Sequence, residues 1–294
     1  MKIVFFGTPD YVLSILKALH KKFVTGPGKS PIAAVVTQSP KPVGRKQKMT
    51  YSPIDSWAHQ RKIPVFYSSK ELLNAGVDAN LGIIAAYGEI IPPEVISLFS
   101  NGILNIHPSL LPKYRGASPI QAVIINGEKE TGVSIIRLDE KMDHGPIISQ
   151  FKEEVLPTDT AGALRERLFV HSAEVICELI EPYLVGKIKP RQQNHNEATF
   201  TKILKKENGY IDLERFISGE GADKAERFIR AMNPWPGAWT NIKINDQIKR
   251  LKILKAHLEN GKLALDEVQL EGKGPVTWKQ FGEGYTYTFF TPED

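Results

Sequence analysis

The sequence predicts an α/β fold, a mostly parallel sheet covered by helices on both faces, followed by a small antiparallel barrel. Three observations carry the prediction. Continuous apolar runs alternate with amphipathic stretches as far as about residue 185. The stretch KIKPRQQNHNEATFTK that follows is polar and weakly periodic. Beyond it, short alternating runs are separated by Asn-Asp, Asn-Gly and Gly-rich turns. Buried parallel strands read as unbroken apolar runs, whereas half-exposed antiparallel strands alternate.

In order along the chain, KIVFF (2–6) is a buried strand. Gly7-Thr8-Pro9-Asp10 turns it into the amphipathic helix YVLSILKALH. PIAAVVT (31–37) is a second strand, followed by a basic loop and a helix near 52–60. IPVFY, LGIIAAYG (81–88) and GILNIH (102–107) supply three more strands with helices between them. SPIQAVIING is helical, TGVSIIRLD and PIISQFKEEV form a strand pair, and a long helix covers about 160–184. Residues 186–203 read as a linker. One or two short helices (about 211–232) then precede strands such as AWTNIKI and IKRLKILKAHL, a pattern suited to a barrel.

Composition narrows the function. The chain has 294 residues, 41% of them apolar, enough for two domains. Cys177 is the only cysteine, so neither an internal disulfide nor a thiolate metal cluster can form, and it reads as a small core residue. The apolar start is too short for a signal sequence or a membrane span, which predicts a soluble cytoplasmic protein. The net charge of +5 is unevenly spread: Lys41, Arg45, Lys46 and Lys48 share one loop with no acid. Such a loop either meets a polyanion or is simply a solvated face.

Two familiar kinds of site are missing. Gly7-Thr8-Pro9-Asp10 lacks the glycine pattern of a dinucleotide site, and no phosphate-loop lysine motif occurs. The seven histidines have no metal-ligand spacing, so no metal is expected. Asn105 and His107 are more informative. They lie two residues apart at a strand's carboxyl end and so point to the same side, where parallel sheets bind ligands. A polar strand end satisfied by main-chain hydrogen bonds would look the same. Asp143, in Met-Asp-His-Gly-Pro between two strands, could equally just close a turn. Together the three side chains suit acyl transfer to an amine, which needs a base, an oxyanion donor and a group to orient the base.

FFGTPD, AAYGEIIPPE, NIHPSLLPKYRGASPIQ, TGVSIIRLDEKMDHG, ATFTKILKKENGYIDL, NPWPGAW and VQLEGKGPVTWKQF occur in this order over nearly the whole chain. They resemble the 10-formyltetrahydrofolate-dependent formyltransferases, and more narrowly the methionyl-tRNA formyltransferases. The resemblance implies a Rossmann-like catalytic domain (1–185), a linker (186–203) and an OB-like tRNA-binding domain (204–294). It implies Asn105, His107 and Asp143 as catalytic residues. Ser109, Leu110, Leu111, Pro112, Tyr87 and Gly88 would contact the co-substrate 10-formyltetrahydrofolate, with the leucines packing on it. Lys41, Arg45, Lys46, Lys48 and Arg115 would meet the initiator methionyl-tRNA. The expected protein is a monomer without a metal. Pro108 stands where the family more often has glycine, and His144-Gly-Pro replaces Thr-Gly-Asp, so the rim of the site is this chain's own. Two rivals remain: an amino-sugar nucleotide N-formyltransferase, and a catalytically silent folate- or RNA-binding homologue.

Overall fold

The computed structural model describes residues 1–26, 28–44, 47–217 and 221–290. In chain order, the strands up to the long helix are β1 (Ile3–Gly7), β2 (Ile32–Val36), β3 (Lys41–Val43), β4 (Lys48–Thr50), β5 (Val65–Phe66), β6 (Leu81–Ala85), β7 (Ile103–His107), β8 (Arg115–Gly116), β9 (Glu130–Arg137) and β10 (Ile147–Glu154). The helices among them are α1 (Leu13–Phe23), α2 (Pro53–His59), α3 (Ser69–Ala75), α4 (Pro93–Ile96) and α5 (Pro119–Ile125), and α6 (Ala161–Leu184) follows. Then come β11 (Phe200–Thr201), α7 (Leu213–Ile217), α8 (Ala222–Met232), β12 (Ala238–Ile244), β13 (Gln247–Glu259), β14 (Lys262–Leu270), β15 (Val276–Thr277), α9 (Trp278–Gly284) and β16 (Thr288–Phe290).

These elements pack into two compact units that interleave along the chain. The first holds residues 1–117, 130–154 and 165–201, and the second holds 118–129, 155–164 and 202–294. The polar segment 186–201 packs with the first unit.

The first unit is built on a seven-stranded sheet in the order β10-β9-β7-β6-β1-β2-β5. Strands β7, β6, β1, β2 and β5 run parallel, and β9 and β10 add an antiparallel edge. All five residues of β1 and all five of β6 are buried, which explains their unbroken apolar sequences. Strand order reverses about β1, so the carboxyl ends of β1, β6 and β7 form the edge where such sheets bind ligands. Gly132 lets β9 and β10 approach: a Cβ there would stand 2.0 Å from the carbonyl oxygen of Phe151. The basic loop after β2 folds as the exposed hairpin β3–β4.

The second unit holds a five-stranded antiparallel sheet in the order β15-β14-β13-β12-β16. Ile242, Leu251, Ile253, Val268 and Phe281 form its core with Ala225 and Ile229 of α8. Irregular register around Lys255 marks a bulge in the long strand β13. The sheet is open among the described residues, because its edge strands β15 and β16 have two and three residues and do not pair with each other. No described helix is long and apolar enough to cross a membrane.

Candidate active site

Strand β7 places Asn105 and His107 side by side at the sheet's carboxyl edge, while Ile106 between them is buried. Its neighbours fix the register: Asn105 lies opposite Ile84 of β6 and Ile136 of β9, and His107 opposite Ser134. Asp143 comes from the turn between β9 and β10, in the left-handed region with φ 48°. A non-glycine residue there is strained unless its surroundings hold it.

One carboxylate joins the three. Asp143 Oδ1 accepts from Asn105 Nδ2 at 3.2 Å and lies 3.5 Å from His107 Nδ1. Asp143 Oδ2 accepts from the amide of Gly116 at 2.8 Å. His107 Nε2 is 2.9 Å from the carbonyl oxygen of Tyr114, a partner that can only accept, so the neutral ring carries its proton on Nε2. The lone pair of Nδ1 then faces the carboxylate side, and a proton taken up there makes an imidazolium beside Asp143. Both side chains are largely buried, with 5% of His107 and 8% of Asp143 exposed, so their interaction is little screened. Only glycine fits at 116: its φ is 103°, and a Cβ would lie 2.5 Å from the carbonyl oxygen of Thr201 on β11.

The loop after β7 is held from beneath. Ser134 Oγ donates to the Ser109 carbonyl at 2.7 Å and accepts from the Leu111 amide at 3.0 Å. Gln150 Nε2 reaches both Ser134 Oγ and the Leu111 carbonyl, at 2.7 and 3.1 Å. Ser109, fully buried, ties itself to the Lys113 carbonyl at 2.7 Å. Leu111 is turned inward against Ile136 and Ile147, which leaves Leu110 and Pro112 as the half-buried apolar pair of the loop. Tyr87 is also a core residue, 2% exposed, edge-on to Phe6 and donating to Glu89 Oε2 at 3.0 Å. Burial and the Glu89 carboxylate push its phenol well above the ordinary range. The segment Ala86–Gly88 can therefore offer a ligand its main chain, which bends through positive φ at Ala86 (47°) and Gly88 (88°).

Arg115 is 4% exposed, and its guanidinium is spent internally. It donates to Gln193 Oε1 through Nε (3.3 Å) and Nη2 (2.6 Å), and to His195 Nδ1 at 2.8 Å. His195 stacks on His144, ring centroids 3.9 Å apart, and His144 pairs with Asp139 at 2.7 Å. Partial desolvation, then His144 and Arg115, lower the pKa of His195 below that of a free imidazole. Lys41 and Lys48 are exposed on the β3–β4 hairpin, whereas Arg45 and Lys46 fall outside the described residues. Sequence reasoning passed over Ser134, Gln150, Gly116 and Gln193. Only Gly116 left a trace, inside the Tyr-Arg-Gly run that carried the resemblance. Among the described residues no cluster of His, Cys, Asp and Glu is suited to a metal ion.

Comparison with known proteins covers both ends of the chain. Residues 1–180 match the formyl transferase family, and residues 203–262 match the formyl transferase C-terminal domain. A methionyl-tRNA formyltransferase from Chloroflexus aurantiacus is 40% identical, covering 82% of this chain and 76% of the relative. One from Thermus thermophilus is 34% identical, covering 97% and 96%. Among solved structures, a methionyl-tRNA formyltransferase from Clostridium thermocellum superposes with a TM-score of 0.61 at 20% identity, over 93% of this chain and 100% of that one. An N-formyltransferase from Helicobacter canadensis, in complex with folinic acid and dTDP-3-aminofucose, gives 0.65 at 21%, over 88% of each. At such identities these two structures speak for the fold alone. Matched in both parts and sharing this identity with whole relatives, the chain belongs to the formyl transferase family, together with the methionyl-tRNA formyltransferases.

Proposed function

We propose that the protein transfers the formyl group of 10-formyltetrahydrofolate to the α-amine of methionyl initiator tRNA. One observation carries this reading: in a chain 40% identical to a methionyl-tRNA formyltransferase, the Asp143 carboxylate gathers Asn105 and His107 at the sheet's ligand-binding edge. The residues present fit a folate, since Leu110 and Pro112 offer apolar surface and residues 86–88 offer main-chain polar groups to a flat heterocycle. Ser109 acts through the loop it ties down. The co-substrate supplies the formyl carbon that the amine attacks.

His107 Nδ1 takes the proton of the attacking amine, and Asp143 stabilises the imidazolium so formed. Asn105 Nδ2 carries two hydrogens. One is held by Asp143, and the other meets the formyl oxygen as negative charge builds on it. His107 then returns its proton to the departing nitrogen. No side-chain nucleophile is needed, because the amine attacks directly.

In this reading residues 1–185 carry the catalytic side chains, 186–203 brace them and lead on along the chain, and 204–294 form an OB-like module that holds the tRNA body. A cleft of about 450 Å³ beside Lys249, Arg250 and Lys252 supports the last assignment. The hairpin with Lys41 and Lys48 meets the acceptor end, together with Arg45 and Lys46. Arg115 shapes that side through its partners. The reading takes the protein to be a cytoplasmic monomer. The test is to incubate it with 10-formyltetrahydrofolate and charged initiator tRNA, and in parallel with a dTDP-linked amino sugar. Formylmethionine on the tRNA is expected. Formylation of the sugar alone, or of neither, overturns the reading.

A further inference from the structure

Gln193 lies in the polar segment after α6 and is 5% exposed, the burial of a core residue. Its carboxamide is used completely. Oε1 accepts from the Arg115 guanidinium, and Nε2 donates to the carbonyl oxygens of Asp143 at 2.9 Å and Gly145 at 2.7 Å. The amide has only one sensible orientation, because a flip would set its N–H groups against a cation and its oxygen against two carbonyls. The two carbonyls flank His144, so a single side chain holds the main chain of the turn on both sides of that residue. The segment carrying Gln193 is itself anchored. Arg191 bridges to Ile147 of β10 and donates to Gln150 Oε1 at 2.9 Å, and Phe200 and Thr201 pair with Arg115 and Gly116.

We propose that Gln193 is a positioning residue: its carboxamide holds Asp143 in the left-handed conformation that turns the carboxylate onto Asn105, His107 and Gly116. The physical reason is strain. Asp143 adopts a φ of 48°, a conformation that L side chains rarely take up and that relaxes where the main chain is free to move. The bonds from Asn105 and Gly116 constrain the side chain alone, whereas Gln193 constrains the main chain. Without it, relaxation of the turn swings the carboxylate away from His107 Nδ1. Gln193 touches no reacting atom and acts through Asp143.

The inference rests on the formyl-transfer reading, which wild-type protein tests by itself. The variants that test the inference are Gln193→Glu and Gln193→Met, assayed in the full chain with 10-formyltetrahydrofolate and methionyl-tRNA. Gln193→Glu keeps an acceptor for Arg115 and the same length but loses both donations to the turn. Expected is a kcat lower by about tenfold to a hundredfold in both variants, with KM for each substrate within about twofold and a folded protein by circular dichroism. A residue that merely fills space and satisfies Arg115 would leave Gln193→Glu at wild-type kcat. That result, or a raised KM at unchanged kcat, overturns the proposal. If Gln193→Glu does not fold, Gln193→Met is read by the same criterion.

Discussion

Ser134 and Leu111 meet through one buried hydrogen bond, in which the Leu111 amide donates to Ser134 Oγ at 3.0 Å. The same hydroxyl donates to the Ser109 carbonyl, so one atom on β9 fixes the loop after β7 at two points. Ser134 is fully buried, and removing its hydroxyl leaves both main-chain groups without a water to replace it. Ser134→Ala should therefore lose about 1–3 kcal/mol in denaturant unfolding. Because this loop carries Leu110 and Pro112, calorimetry should also show weaker binding of a folate analogue. Wild-type affinity in the variant would separate the loop from folate binding.

His107→Gln keeps an N–H for the Tyr114 carbonyl but has no basic nitrogen to take up a proton. Its kcat should fall by roughly a hundredfold or more, with the unfolding midpoint close to wild type. Asp143→Asn should lower kcat to a similar degree, since it removes the charge that stabilises the imidazolium. Steady-state kinetics beside melting curves make the comparison, and near-native turnover in either variant would remove that residue from the chemistry.

Gly116→Ala combines two faults. It forces a side chain into positive φ and into the Thr201 carbonyl, and it displaces an amide that binds Asp143. A stability loss of about 1–3 kcal/mol is expected, with a fall in kcat beyond what the folded fraction explains. Active-site titration against total folded protein distinguishes the two effects.

Lys41→Ala/Lys48→Ala addresses the exposed hairpin. Removing two phosphate contacts should flatten the dependence of log(kcat/KM) for tRNA on log salt by roughly 1.4 to 1.8. The KM for 10-formyltetrahydrofolate should stay unchanged. An unaltered salt slope would mean that neither lysine meets the nucleic acid.

The sheet was readable because strands covered on both faces must be apolar throughout: KIVFF and LGIIA announce β1 and β6 without help from a relative. Asn105 and His107 were readable from the period of two, which forces them onto one side. Asp143 was readable only through the resemblance, since an aspartate in a turn looks the same whether or not it reaches a strand 38 residues away. Leu111 shows another ambiguity: an apolar loop residue can face a ligand or the core, and here Ile136 and Ile147 claim it. Gln193 left no pattern at all. Its partners are main-chain carbonyls and a guanidinium distant in sequence, so a buried clamp and a solvated linker share one composition. Closure of the second sheet depends likewise on pairing between strands far apart, which alternation does not encode.

The pairing of β8 with β11 has a consequence for the order of synthesis. Chains emerge from the ribosome amino end first, and units fold once their last element is available. Asn105, His107 and Asp143 are all made by residue 143, yet Gly116 finds its neighbour strand only when Thr201 of the 294-residue chain has been translated. A nascent chain paused anywhere between therefore carries all three proposed catalytic side chains without their final brace. A stop codon at residue 185 would release the same species permanently, so a truncation meant to keep every strand of the first unit should extend past 201.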